Sequence, residues 1–190
     1  MADGAFAKGA LDAVPASLQG IVDSGDLSGF VTLVWRKGEI AQLNTIGYRN
    51  VEEKAPMQRD TIFRIASMSK PVTSVAALQL IEEGKIKLDD PITKWLPEFV
   101  GMKVLDDPTG PIDKVSPAAR DITVADLFTH ASGLAYNFTA EGALSKAYDR
   151  ALGSPLANSN GMDGWLKALS TLPLIYQPGD RFHYSHSTDV

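Results

Sequence analysis

The stretch from Thr61 to Gly84 limits the possible folds of this chain more than any other. Thr61-Ile62-Phe63-Arg64-Ile65 reads as a short extended segment, and from Ser69 onward Val72, Val75, Ala76, Leu78, Leu80 and Ile81 continue a strongly apolar helix. Pro71 falls inside its first turn, where a missing N–H does no harm. Gly84, after Glu82-Glu83, is a natural residue to end it. The helix is expected to begin within a residue or two of Ser67 and to be buried on most of its surface.

Around this segment the pattern changes character several times. Residues 6–22 carry apolar positions near the helical period, broken or kinked at Pro15. Phe30 to Val34 is β-branched or bulky, Lys37-Gly38 is a turn signal, and a second run passes through Ile40, Leu43, Ile46 and Tyr48, so an antiparallel hairpin is expected. A short helix should end near Leu96-Pro97, and residues 101–121, rich in Pro, Gly and Asp, read as a long surface excursion. Thr123 to Thr129 is a short helix with Asp126 placed for a capping box. Residues 137–160 read as irregular and 165–172 as a further helix.

Bulk properties remove several classes of function. The net charge is −5 and Lys and Arg are scattered, so nothing attracts a phosphate backbone or an anionic membrane, and nucleic acid and membrane partners are set aside. The chain has no cysteine, which excludes disulfides, thiolate metal sites and a cysteine nucleophile. His130, His183 and His186 show no metal-ligand spacing, so neither metal nor cofactor is expected. The N-terminus has no basic and apolar leader pattern, and no apolar run approaches the ~20 residues of a membrane span. A cytoplasmic location is the resulting expectation.

The chemistry centres on Ser67-Met68-Ser69-Lys70. On a helix, residues three apart share a face, so the Ser67 hydroxyl and the Lys70 amine can meet in the first turn. Serine needs a base within hydrogen-bond reach to become a nucleophile. Lys70 is one candidate. Tyr184 is another, because a phenol beside an ammonium group gives up its proton more readily and can relay it. A Ser-x-x-Lys alone arises about once by chance in a chain of this size. Its weight comes from its place at the start of the apolar helix, after an extended segment.

Four landmarks then follow in order. Phe63 to Pro71 with the continuing helix, Ile122 to Leu134, Gln177-Pro178-Gly179-Asp180, and Tyr184-Ser185 together resemble the serine β-lactamase superfamily, closest to family VIII carboxylesterases and class C β-lactamases. The resemblance covers about 25–190. It implies a β-lactamase/transpeptidase-like fold, an α/β region plus an all-α region: 1–85 would be the N-terminal part of the α/β region with the catalytic helix, and 86–190 mainly helical. It also implies Ser67 as nucleophile, Lys70 as its activating partner and Tyr184 as general base and acid. His186 stands two after Tyr184, where the family pattern has Asn, at a position that would meet substrate. That departure favours ester over lactam hydrolysis. The segment of His130 and Ser132-Gly133 would pack beneath the site.

The resemblance further implies an oxyanion hole of two donors, the Ser67 N–H and a backbone group on a downstream strand, which this sequence does not contain. The fold is therefore expected to be incomplete in these 190 residues, its remaining strands and helix missing or supplied by a complementing C-terminal polypeptide. The expected function is a serine carboxylesterase acting on small esters through an acyl-enzyme, with weak lactam hydrolysis as a side activity. The rivals are a β-lactamase or D-alanyl-D-alanine carboxypeptidase and, from another class, a non-catalytic sensor or scaffold of the same fold.

Overall fold

A computed structural model describes residues 6–7, 9–153 and 161–190. The chain divides into two units, Met1–Arg64 and Ile65–Val190. The helix that begins after Ser67 thus groups with the second unit, whereas the sequence reading placed it with the first. Most of the N-terminal run read for a leader lies outside the described residues.

In the first unit the hairpin forms where alternation and turn chemistry agree. Strands β1 (Gly29–Arg36) and β2 (Glu39–Asn50) pair antiparallel, Gly29 opposite Gly47 and Arg36 opposite Glu39. Lys37 and Gly38 both have positive φ, 51° and 85°, the geometry that lets a two-residue turn follow the strands' right-handed twist. A two-residue strand, β3 (Ala55–Pro56), adds to β2. Helix α1 (Val14–Asp23) starts later than the periodicity suggested, because Pro15 is tolerated only in its first turn.

The second unit opens with a 3-10 turn, Ala66–Met68, that runs directly into α2 (Ser69–Glu82). Gly84 ends α2 as expected: at φ 70° it donates its N–H to Ile81, while Lys85 donates to Leu80, both at 2.9 Å, a Schellman closure. The expectation of a helix buried on most of its surface is not met. Its one buried residue is Lys70, while Val72 and Val75 are 66% and 56% exposed. The face shared by Lys70, Thr73, Ser74 and Ala77 carries little apolar area. The apolar residues point elsewhere.

The core lies among the later elements. Residues 101–121 are not a mere surface excursion: β4 (Lys103–Leu105) pairs with β5 (Val115–Pro117), and Met102, Val104 and Leu105 are buried. Leu105 donates to Leu174 and Leu174 to Lys103, which ties this small hairpin to the chain's last third. The Pro- and Gly-rich stretch is only the loop between the two strands. Helix α3 (Val124–Phe128) has the expected capping box, with Thr123 and Asp126 each accepting the other's backbone N–H. Arg120 clamps the Asp126 carboxylate with two hydrogen bonds of 2.5 and 2.9 Å.

The segment 137–160, expected to be irregular, contains α4 (Gly142–Leu152), which buries Leu144, Ala147, Tyr148 and Leu152 on one face. Residues 154–160 of that segment lie outside the described residues. Helix α5 (Gly161–Ser170) buries Trp165, Leu166 and Leu169 against the same cluster as Phe99, Ile122, Leu134 and Leu174. A further 3-10 turn, His186–Asp189, brings the end of the chain to α2.

Candidate active site

Ser67 sits in the middle of the 3-10 turn, on a backbone bent by its neighbour. Ala66 has φ 43°, a left-handed conformation that a residue with a Cβ adopts at a cost of about 1 kcal/mol or more. Met68 donates the first bond of the turn, to Ile65. The Ser67 N–H therefore precedes the hydrogen-bonded ladder. The Ser67 side chain is exposed, and its hydroxyl makes no hydrogen bond among the described residues.

Lys70, at the start of α2, turns inward. Its Nζ donates to the Tyr136 hydroxyl at 2.7 Å and to Asp189 Oδ1 in a short ion pair. The Tyr136 hydroxyl passes the chain on, donating to Asp189 Oδ2 at 2.6 Å. His186 Nδ1 lies 3.0 Å from the same Oδ2. One carboxylate thus gathers three donors from α2, from the loop before α4 and from its own 3-10 turn. Burial works to raise the Asp189 carboxyl, but the hydrogen bonds from His186, Lys70 and Tyr136 outweigh it and hold it down to about 2. Asp189 is an anion at any ordinary pH. Tyr136 is pushed well above the usual phenol range by burial and by that carboxylate, so it is a neutral donor rather than a base.

Tyr184 lies beside this group without bonding to it. Lys70 Nζ is 5.7 Å from the centre of its ring, and the ring packs 5.7 Å from that of Tyr136 and 4.7 Å from that of His130. The loop bearing Tyr184 is locked from below. His130 Nδ1 accepts the Ser185 N–H at 3.2 Å, and the His130 carbonyl accepts the His183 N–H at 2.8 Å. The hydroxyls of Ser132, Ser187 and Ser185, all fully buried, run in a chain of two 2.7 Å bonds. Burial and the nearby Lys70 charge hold His130 below the usual histidine range, so it stays neutral and keeps Nδ1 as an acceptor. This places the 130–134 segment under the Tyr184 loop.

His186, expected at the substrate, is buried. Its ring is enclosed by Tyr136 at 3.9 Å, Trp165 at 5.2 Å and Tyr148 at 6.2 Å, and its polar edge faces Asp189. Sequence reasoning missed Tyr136 and Asp189. No local signal links either to Lys70, from which they are 66 and 119 residues distant along the chain. Among the described residues, no cluster of three or more His, Asp or Glu side chains could hold a metal ion, and no helix is long and apolar enough to cross a membrane.

The site thus sets a serine on a strained turn, a lysine in the first turn of the following helix and a tyrosine on a separate, braced loop. The chain belongs to the β-lactamase family, whose model, described as Beta-lactamase, matches residues 14–190. Among individual proteins, it is 53% identical over 180 residues to Protein Rv1367c of Mycobacterium tuberculosis, covering 95% of this chain and 44% of that protein. It is 38% identical to Esterase EstB of Burkholderia gladioli, covering 86% of this chain and 39% of the other. Among solved structures, EstCE1, described as a hydrolase with promiscuous acyltransferase activity, superposes with a TM-score of 0.70 at 33% identity, over 93% of this chain and 43% of that one. The simvastatin synthase LovD of Aspergillus terreus gives 0.71 at 27% identity, over 96% and 46%. The fold is thus the mixed α/β β-lactamase-like one, and the chain spans less than half the length of these relatives.

Proposed function

We propose that the protein is a serine hydrolase that cleaves small carboxylic esters through an acyl-enzyme on Ser67. The observation that carries this reading is the pairing of an exposed Ser67 on a strained turn with a buried, ion-paired Lys70 one turn later and the Tyr184 ring beside the lysine. The Lys70–Tyr184 pair takes the proton from the Ser67 hydroxyl as its oxygen bonds to the ester carbonyl carbon. The carbonyl π electrons move onto the carbonyl oxygen, which the Ser67 N–H meets. A second donor is assigned to a complementing segment, since the relatives are about twice as long as the part matched here. As the carbonyl re-forms, the ester C–O bond breaks and the alcohol leaves with the proton returned by the pair. Water then repeats the sequence and frees the acid.

Ester rather than lactam substrates are supported by the relatives named Esterase EstB and lovastatin esterase, the latter from Penicillium rubens at 31% identity. His186 in place of the Asn of the family pattern supports the same choice, since it is buried against Asp189. The test is fluorophosphonate labelling of the protein carrying these residues, mapped to peptides, alongside turnover of p-nitrophenyl butyrate and nitrocefin. An adduct on Ser67, abolished in Ser67→Ala together with esterase turnover, is the expected result. Preference for nitrocefin overturns the ester assignment, and no adduct moves the protein to a non-catalytic sensor or scaffold.

A further inference from the structure

Five aromatic rings run in contact past the Lys70 amine, in the order Phe138, Tyr136, Tyr184, His130, Phe182. Phe138 lies almost parallel to Tyr136, with ring centres 4.7 Å apart and planes at 12°. Tyr136 is 5.7 Å from Tyr184, Tyr184 is 4.7 Å from His130, and Phe182 meets His130 at 5.7 Å with planes at 70°. Lys70 Nζ lies 5.4 Å from the centre of the Tyr136 ring and 5.7 Å from that of Tyr184, so the middle of the run faces the amine. The inner three residues are buried or half-buried, whereas Phe138 and Phe182, at the two ends, are 66% and 68% exposed.

A single exposed phenylalanine is ordinary on a protein surface, but these two are held in place. Around Phe138, the Tyr136 N–H donates to Thr139 Oγ1 at 2.8 Å, the Ala140 N–H to the Tyr136 carbonyl at 2.9 Å and the Ser145 hydroxyl to the Asn137 carbonyl at 2.6 Å. Around Phe182, the Asp180 N–H donates to the Gln177 carbonyl at 3.0 Å and the His183 N–H to the His130 carbonyl at 2.8 Å. Backbone tied on both sides presents each ring in a fixed orientation, and no step of the reaction described above uses either. Phe138 has Tyr136 against one face, so a flat ring laid on its outer face would lengthen a stack that is already parallel. Ring pairs gain attraction beyond the area they cover, which an aliphatic chain does not.

We propose that Phe138 and Phe182 are specificity-determining residues that receive a flat aromatic substituent of the ester, carried on its acyl or its alcohol side. The inference rests on the reading of Ser67 as nucleophile, because it is the passage of the run beside Lys70 and Tyr184 that brings its ends to a bound ester. Each end ring is separated from Tyr184 by a single ring, Tyr136 on one side and His130 on the other. Phe182 and Tyr184 both pack on His130, so they share one side of their loop. A phenyl group on a short alkyl chain therefore suits the site better than a compact ester does.

The test compares kcat/KM for ethyl 4-phenylbutyrate and 2-phenylethyl butyrate, which carry the ring on the acyl and on the alcohol side, each against its cyclohexyl counterpart. At least one phenyl ester should exceed its counterpart by about fivefold, and the favoured pair identifies the side. The double variant Phe138→Leu, Phe182→Leu keeps apolar bulk at both exposed positions and should lower that ratio about fivefold with the thermal midpoint in place. No preference in the parent, as when a complementing segment lies over both rings, overturns the proposal, and so does a preference that the double variant retains. Saturation-transfer NMR with the same phenyl esters on Ser67→Ala reads binding without turnover: the phenyl protons should receive saturation, and should lose it when both leucines are added. Ring contact in a protein whose Ser67 takes no fluorophosphonate upholds the aromatic site and sinks the hydrolase reading. A Ser67 adduct without ring contact does the reverse.

Discussion

At the scale of single residues, the site is a set of charge states fixed by neighbours, and these have consequences for stability. The folded Asp189 carboxyl, at about 2, lies below the ~3.9 of an unfolded aspartate. On acidification the unfolded chain therefore takes up that proton first, so the stabilising contribution is whole above about pH 4 and fades toward about pH 2. Thermal melts across that window should show a fall in midpoint that Asp189→Asn flattens. His130 gives a second prediction. It combines φ 54° with an acceptor nitrogen facing the buried Ser185 N–H. His130→Asn tolerates that backbone and can still accept, so its midpoint should stay within a few degrees of the parent, whereas His130→Ala leaves a buried donor unpaired and should cost about 1–3 kcal/mol in a denaturant melt.

At the scale of elements, what was legible in the sequence was what is local. The β1–β2 hairpin follows from alternation and the Lys37–Gly38 turn, and the capping box of α3 lies within four consecutive residues. The β4–β5 pair escaped notice because three-residue strands leave no periodicity to read, while the Pro- and Gly-rich loop between them dominates the composition. Helix α4 escaped because it starts at Gly142 with positive φ and no side-chain cap, although Leu144, Ala147, Tyr148 and Leu152 do keep helical spacing. One glycine is decisive where two segments meet. Gly133 has φ 82°, and a Cβ there would lie 2.2 Å from the Tyr176 carbonyl oxygen. Gly133→Ala combines a strained backbone with a backbone clash next to the Ser132–Ser187–Ser185 chain, so a loss of about 3 kcal/mol or more is expected by denaturant melt, together with weaker Ser67 labelling.

At the scale of the whole molecule, the site is assembled by contacts the chain order conceals. Ser67 and Lys70 could be singled out in the sequence because their motif is short, and Tyr184 because ordered landmarks lead to it. Tyr136 and Asp189 are joined to Lys70 only by the packing of distant segments. The same packing leaves Val72, Val75 and Leu78 exposed along α2. A stripe of this kind binds apolar dyes and favours self-association. The double variant Val72→Lys, Val75→Lys should therefore bind less anilinonaphthalene sulfonate and sediment with less concentration dependence, with its melting midpoint changed by no more than a few degrees.

The inward placement of Lys70 also bears on the order in which parts of this molecule come loose. The side of α2 bearing Thr73, Ser74 and Ala77 borders a cavity of about 280 Å³, lined across from it by Ile92, Trp95 and Leu127. The helix is thus attached to its own unit more by a charge than by close-packed apolar contact, and such an attachment weakens as acid neutralises the carboxylate. Amide protons of α2 should consequently exchange with solvent by sub-global opening, ahead of those in α4 and α5, which bury Leu144, Tyr148 and Leu169. Looseness would then reside in the helix that carries Lys70, while the aromatic and leucine cluster preserves the memory of the fold.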